Sequence, residues 1–381
     1  MLNNLTICPV CNNKTFKDGK VKSTFHSVLT DHTVAVQRTR GKCVWHSPMS
    51  IEGIFGTDVH PDLLQKQALQ GSQQSFEKSS NVLNAESATP RSINNHTQIM
   101  RAVNKISKEI EELRLKTESV ACFPDIIANI DGGHIKSRGE ARSFEAMVAT
   151  VYRPENLVSV NVKNNRNKII DKTTVASAKD DKQFTMKQLF IAACKSQGMS
   201  IKSVVTCLAD GAENCGDIAN SIKSECSNVV YILDWFHIAM KFKNIAIPIQ
   251  NQKQYDKIKW NLWHGNFDKA ILRFNELLNV YEISKNSKII DQLLKLLEYI
   301  QNNKDGIIDY ATRRNAGLVF TSNLAESTVN TLINERQKGK QKMLWSREGA
   351  HSILQIRASV FRKKWDQDWT AVEANMYKLA A

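Results

Sequence analysis

Three short stretches decide how this chain folds: residues 126–136 (IIANIDGGHIK), 204–211 (VVTCLADG) and 229–237 (VVYILDWFH). Each is an apolar run, rich in β-branched residues, that ends in polar ones, as a buried strand does where it reaches a sheet edge. Each also sets an aspartate at or just past its apolar run: Asp131, Asp210 and Asp234. A carboxylate there is held on a rigid element and aimed at the edge crevice where α/β sheets place their ligands.

Between the first two stretches lie residues 143–154 (SFEAMVATVYRP) and 168–177 (KIIDKTTVAS), both with strand character. Residues 184–198 have helical spacing and close on Gly198, and residues 214–226 form a second helix. Three strands followed by alternating helix and strand predict a mixed α/β sheet. In such a meander the fourth strand returns beside the first. Asp131 and Asp210 then sit on neighbouring strands, about 4.8 Å apart, and can share a divalent metal; Asp234, one strand further away, is roughly 10 Å off.

From residue 238 to 309 the pattern is wholly helical, with residues 260–278 and 288–300 as amphipathic stretches. A further helix starts near residues 321–327 (TSNLAES) and carries Glu326 in its first turn. Two aspartates and a glutamate offer hard oxygen ligands, which suit Mg²⁺ or Mn²⁺ and not zinc. Two such ions about 4 Å apart serve phosphodiester chemistry by activating the attacking oxygen and stabilising the leaving one. Each acid also has a plainer role. Asp131 and Asp210 both precede glycine, a turn signal, and Glu326 stands three residues after Asn323, as in a capping box.

The N-terminal region carries a different signal. Cys8-Pro-Val-Cys11 and Cys43-Val-Trp-His46 share one spacing, and two such pairs make the tetrahedron of a structural zinc ribbon, with His26 and His32 as competing ligands. The remaining cysteines, at 122, 194, 207, 215 and 226, have no paired spacing and read as small apolar residues. Residues 72–84 and 92–106 read as helix, turn, helix. Ser92 is the expected cap, and Asn94, Asn95, His96 and Gln98 are placed to read base edges; the alternative is an ordinary helical hairpin. Residues 105–116 read as a solvated linker helix.

After Glu326 comes a basic block with Arg336, Lys338, Lys340, Lys342, Arg347 and two tryptophans, Trp345 and Trp365. Such residues neutralise phosphates and stack on bases. The same block carries an apolar stripe of Leu344, Ile353, Leu354, Ile356 and Val360, which predicts a core face beneath a charged one, and both can hold. Gly339 and Gly349 argue against one unbroken helix. Across 381 residues, 52 Lys and Arg against 38 Asp and Glu give a net charge of +14. With 42% hydrophobic residues, this excludes a disordered chain and favours a polyanionic partner. No run of eighteen apolar residues exists, so no membrane span is expected, and a cytoplasmic, nucleoid-associated location is.

The segments NIDGGHIK, CLADGAENC, ILDWFH and SNLAESTVNTLINERQKGKQKMLWSREGAHSILQIRA together resemble the ribonuclease H-like DDE transposases of insertion sequences. The closest likeness is to the Kra-type group, related in plan to Mutator-like and hAT transposases. The resemblance implies a ribonuclease H-like mixed sheet with an all-helical insertion, and a catalytic triad of Asp131, Asp210 and Glu326 holding two Mg²⁺ or Mn²⁺ ions. Asp234 and His237 match the Asp/Cys-x-x-His element of those families; they are expected to brace the start of the insertion. Asp234 as the second catalytic acid is the alternative. The expected organisation is a zinc-binding domain at 1–60, a helix-turn-helix region and linker at 61–118, the core at 119–237, the insertion at 238–320, and the Glu helix with its basic tail at 321–381. The implied activity is DNA strand cleavage and strand transfer, with double-stranded DNA (element ends and target) as partner and a homodimer or larger assembly. A ribonuclease H-like nuclease without strand transfer, or a non-catalytic DNA-binding derivative, are the alternatives.

Overall fold

The computed structural model describes residues 6–87, 89–116, 120–139, 141–161, 166–283, 287–322, 326–338 and 343–380. The chain divides into two compact units, one comprising residues 1–113 with 352–381 and the other residues 114–351. The segments expected at 1–60 and 61–118 therefore share one unit as far as residue 113, together with residues 352–381 of the C-terminal segment, whose first part belongs to the other unit.

In the first unit, strands β1 (Phe16–His26) and β2 (Asp31–Arg40) form an antiparallel hairpin, with an irregularity between Lys17 and Lys20. The short helix α1 (Ile51–Phe55) is capped by Ser50 and ends on Gly56 at φ 71°. Helices α2 (Pro61–Gln73), α3 (Phe76–Ala85) and α4 (His96–Leu115) follow. Gly71 of α2 is a contact point: a Cβ there would lie 2.8 Å from side-chain carbons of both Ile99 and Val103.

The expected linker at 105–116 is instead the second half of α4. Its stripe Ile99, Val103, Ile106 and Ile110 is fully buried, and Glu111 and Arg114 are buried with it, while Lys105, Lys108, Glu112 and Lys116 face outward. Arg91 pins the hairpin tip. Its guanidinium donates to the carbonyls of Ser27, Val28 and Thr30 at 2.8–3.1 Å and pairs with Asp31.

The second unit is built on a mixed sheet. Among the described residues its five strands run in the order β7-β4-β3-β8-β9: β3 (Asp125–Lys136), β4 (Ser143–Tyr152), β7 (Thr173–Ser177), β8 (Val204–Ala209) and β9 (Asn228–Leu233). β4 is antiparallel to β3 and β7, whereas β8 is parallel to β3 and β9. The expected meander with its returning fourth strand is present. The stretch at 168–177 divides between two strands, the end of β6 (Arg166–Ile169) and all of β7; β6 pairs antiparallel with β5 (Leu157–Asn161), apart from the main sheet.

One sheet face, carrying Ile126, Ala128, Ile130, Met147 and Ala149, packs against α5 (Phe184–Ser196) and α6 (Glu213–Asn220). The other face, with Ile127, Tyr152, Leu208 and Leu233, shares a core with α7 (Trp235–Lys243), α8 (Ile249–Trp263), α9 (Phe267–Ile283), α10 (Ser287–Asn302) and α11 (Tyr310–Asn315). The apolar stretch 260–278 is broken at Gly265, whose φ of 66° ends α8.

The last helices are α12 (Glu326–Val329), continued through a π-helical turn at Asn330–Asn334 into α13 (Glu335–Gln337), then α14 (Arg347–Phe361) and α15 (Trp365–Ala380). Gly349 lies inside α14 and does not interrupt it. No described helix is long and apolar enough to cross a membrane.

Candidate functional site

β3 and β8 pair in register from Asp125↔Val204 to Ile130↔Ala209, so the next residues, Asp131 and Asp210, stand at the same level: Asp210 just past the end of β8, and Asp131 still within β3, paired with Val148 of β4 where the expectation put it after the strand. Asp131 is half-buried, and its Oδ1 accepts the Gly132 N–H at 2.7 Å. Asp210 Oδ1 accepts from Ala212 N at 2.9 Å and from the Cys215 thiol at 3.5 Å. The helical segment supports the Asp210 turn: Tyr299 of α10 donates its hydroxyl to the Asp210 carbonyl at 2.7 Å. Gly211, at φ 89°, lies so close to Asn303 that an added Cβ would come within 2.4 Å of its Oδ1.

Burial raises Asp131 from the usual carboxylate range to about 6, opposed by the Gly132 N–H and His237 and reinforced by the Asp210 and Asp234 carboxylates. A carboxyl in that state favours a proton or a cation beside it. Asp131 also lines a small cavity with Asn129, Thr150, Asp234, His237, Ser322, Thr328 and Val329. The last two belong to α12, whose first residue is Glu326. This helix lies against β3: a Cβ on Gly133 would meet Val329 and Ile333 at 3.3 and 3.2 Å. The Glu326 side chain and Asn323 lie outside the described residues.

Asp234 is fully buried and occupied. It caps α7 by accepting from Phe236 N at 3.0 Å, and it also accepts from Ser322 N at 3.1 Å and from the Ser322 hydroxyl. His237 Nε2 is 3.7 Å from its Oδ2. The carboxylate thus joins the first turn of α7 to the end of β9 and to the segment that leads back to α12.

The N-terminal centre is of another kind. The sulfurs of Cys8, Cys11 and Cys43 lie within 4.8 Å of one another, in a group that could hold a metal such as zinc. Cys8 and Cys43 are 3.7 Å apart, and Gly41 leaves them room: a Cβ there would come within 2.7 Å of Cys8 Sγ. A backbone N–H from Asn13, reinforced by Cys8, lowers Cys11 to about 6 against the opposing effect of burial, which favours the thiolate a metal needs. His46 does not converge with the three sulfurs; its Nδ1 is 3.9 Å from Asp18 Oδ2. His26 and His32 are at the opposite, turn end of the hairpin, bonded to Asp31 and Ser27.

Other expected contacts are differently placed. Asn94 is buried against Gln67 and Asn84, whereas Asn95 is the cap of α4: its Oδ1 accepts from Gln98 N at 2.9 Å, the role expected of Ser92. Asn95 and His96 remain exposed, and Gln98 is half-buried. Arg336 is buried over the Trp345 ring, 4.8 Å from its centroid, and Trp345 itself extends β3 through backbone bonds to Lys136 and Arg138. Arg347 lies over Phe144 and pairs with Asp181. Arg336 and Trp345 thus serve the core, whereas Arg347 is half-buried, its guanidinium taken up by Phe144, the Ala178 carbonyl and Asp181. Lys338 is exposed; Lys340 and Lys342 lie outside the described residues. Leu344 is exposed, whereas Ile353, Leu354 and Ile356 are buried as expected.

Cys194, Cys207, Cys215 and Cys226 are buried, but Cys122 is exposed beside Ser200. Sequence reasoning passed over Glu145, the lone acid in β4, which accepts from Asn214 at 2.5 Å and adds its charge beside Asp210 and Asp131 at Cys215. It also passed over Lys136, Arg138 and Arg142, exposed around the β3–β4 turn. The signal for these was their place at the end of the decisive strand. No family model matches the chain, and no curated protein matches it.

Proposed function

We propose that the chain is a DNA transposase that cleaves and joins strands by metal-dependent phosphodiester chemistry. The observation that carries this reading is the register of β3 and β8, which sets Asp131 and Asp210 at the same level, with the helix that begins at Glu326 lying against β3. The three-strand meander with its returning fourth strand supports a ribonuclease H-like core. Asp131, Asp210 and Glu326 would hold divalent ions, and the donor set fits: they are hard oxygens, and burial, with the Asp210 and Asp234 carboxylates adding to it, disfavours a bare charge on Asp131. Bound Mg²⁺ or Mn²⁺ would supply the charge that activates an attacking hydroxyl and stabilises the leaving oxygen.

Asp234 has its oxygens engaged by Phe236 and Ser322, which leaves Asp210 as the second acid. At the N-terminus, His46 is the nearest fourth ligand in sequence for zinc at Cys8, Cys11 and Cys43, and needs a turn of the 43–46 loop to reach it. For double-stranded DNA, the exposed Lys136, Arg138, Arg142 and Lys338 are better placed to meet phosphate than the buried Arg336. Two copies would pair two element ends. The test is incubation of labelled end DNA and target plasmid with Mg²⁺. Cleaved and joined products are expected from the wild type and none from Asp131→Ala. Cleavage without joining would leave a hydrolytic nuclease, and binding without cleavage a non-catalytic derivative.

A further inference from the structure

Two buried polar atoms beside Asp131 find no hydrogen-bond partner among the described residues: Asn129 Oδ1 and Thr328 Oγ1. Asn129 is 4% exposed and Thr328 2%, and both line the cavity that Asp131 lines. They come from different elements. Asn129 precedes Asp131 by two residues on the same face of β3, and Thr328 follows Glu326 by two in α12. Asn129 Nδ2 is directed to the Tyr152 hydroxyl at 3.5 Å, which leaves its oxygen for the cavity. The Thr150 hydroxyl, on the same wall, is shared with Thr174 at 3.3 Å.

An unpaired amide oxygen or hydroxyl in a closed space costs roughly 1–3 kcal/mol. Buried waters relieve this cost where a cavity is polar and offers two to four partners. This cavity has room for about one water molecule.

The geometry points to a bound water held by Asn129 Oδ1, Thr328 Oγ1 and the Asp131 carboxylate, which makes Asn129 and Thr328 positioning residues for Asp131. The water donates one proton to Asn129 Oδ1 and the other to the Asp131 carboxylate, and accepts the proton of the Thr328 hydroxyl, so both orphaned atoms are satisfied. It also ties β3 to α12, so the carboxylate of one element and the helix of the other are set by one small network. Outer-shell partners of this kind change metal affinity by roughly ten- to a hundredfold when removed. This inference rests on the proposed role of Asp131 as a metal ligand.

The test measures Mn²⁺ binding to the full chain by the loss of the free-ion electron paramagnetic resonance signal, alongside a high-resolution crystal structure. Asp131→Asn is expected to abolish the site. Thr328→Val, which keeps shape and removes the hydroxyl, is expected to weaken Mn²⁺ binding roughly tenfold, and Thr328→Ser to restore it. Asn129→Leu is expected to weaken it similarly. Wild-type density is expected to show one water within hydrogen-bond distance of Asn129 and Thr328, lost in Thr328→Val. A dry cavity, or Thr328→Val binding Mn²⁺ as the wild type does, would overturn the inference while Asp131-dependent binding kept the proposed function standing. Absence of any Asp131-dependent Mn²⁺ binding in the wild type would overturn both.

Discussion

The molecule gathers its metal-competent side chains in two ways. At the N-terminus three soft ligands converge through local backbone: a tight turn at Cys8–Cys11 and the end of one hairpin. At the sheet, two hard ligands converge only because strands some eighty residues apart in sequence lie parallel and in register. The first arrangement depends on short loops and one glycine, Gly41; the second depends on the whole fold, including the helical segment that holds the Asp210 turn. Damage near the cysteines should therefore stay local, whereas damage at the acids should separate chemistry from stability.

The largest expected effect breaks the acid site alone. Asp210→Asn should lower metal-dependent strand cleavage by at least about 10³-fold, on the scale of losing a principal electrostatic element, with little change in circular dichroism or in DNA retention. Normal cleavage would remove Asp210 from the site. Next, Gly41→Ala should expel metal from the cysteine cluster, because its Cβ would press on Cys8 Sγ at 2.7 Å. A chromogenic chelator should then strip zinc at least tenfold faster, while the melting transition of the sheet unit stays in place.

Gly211→Ala should destabilise the sheet unit by about 2 kcal/mol, because it combines positive φ with a clash at Asn303. Urea unfolding would measure this. Asp131→Asn has the opposite sign. A carboxyl raised to about 6 binds protons more tightly folded than unfolded, so its contribution is intact below about pH 4 and is lost as pH rises through 6. In the absence of divalent metal the variant should therefore be more stable than wild type at pH 7.5, by on the order of 2 kcal/mol, and show no advantage at pH 4. Smallest, Tyr299→Phe should cost about 1 kcal/mol through the lost bond to the Asp210 carbonyl.

The two centres also differ in how they can be read. The cysteine turn is legible because its geometry is confined to four residues, and Asp210 and Asp234 because an apolar run that stops at an acid marks a strand end; Asp131 instead lies inside β3, which runs on to Lys136 along β4. What stayed hidden depended on neighbours distant in sequence. The basic residues Arg336 and Arg347 look like phosphate ligands, yet an aromatic ring from Trp345 or Phe144 takes each guanidinium. Residues 105–116 look like a linker because charges dominate their composition, although Ile106 and Ile110 keep the buried stripe. His46 has the right spacing, but spacing does not fix a side-chain direction. Asn129 could have been noticed as a lone amide in an apolar strand, but only α12 closes a cavity over it.

The Asp234 carboxylate has a consequence for how this chain can change over generations. It fastens Phe236, where the helical segment departs, and Ser322, 88 residues after Asp234 itself, where the chain comes back. A loop whose two ends share one anchor is insensitive to its own length, since doubling it costs only about 0.6 kcal/mol of closure entropy. The helices between are thus free to grow, shrink or be exchanged, provided that some residue still does for the Asp210 turn what Tyr299 does now.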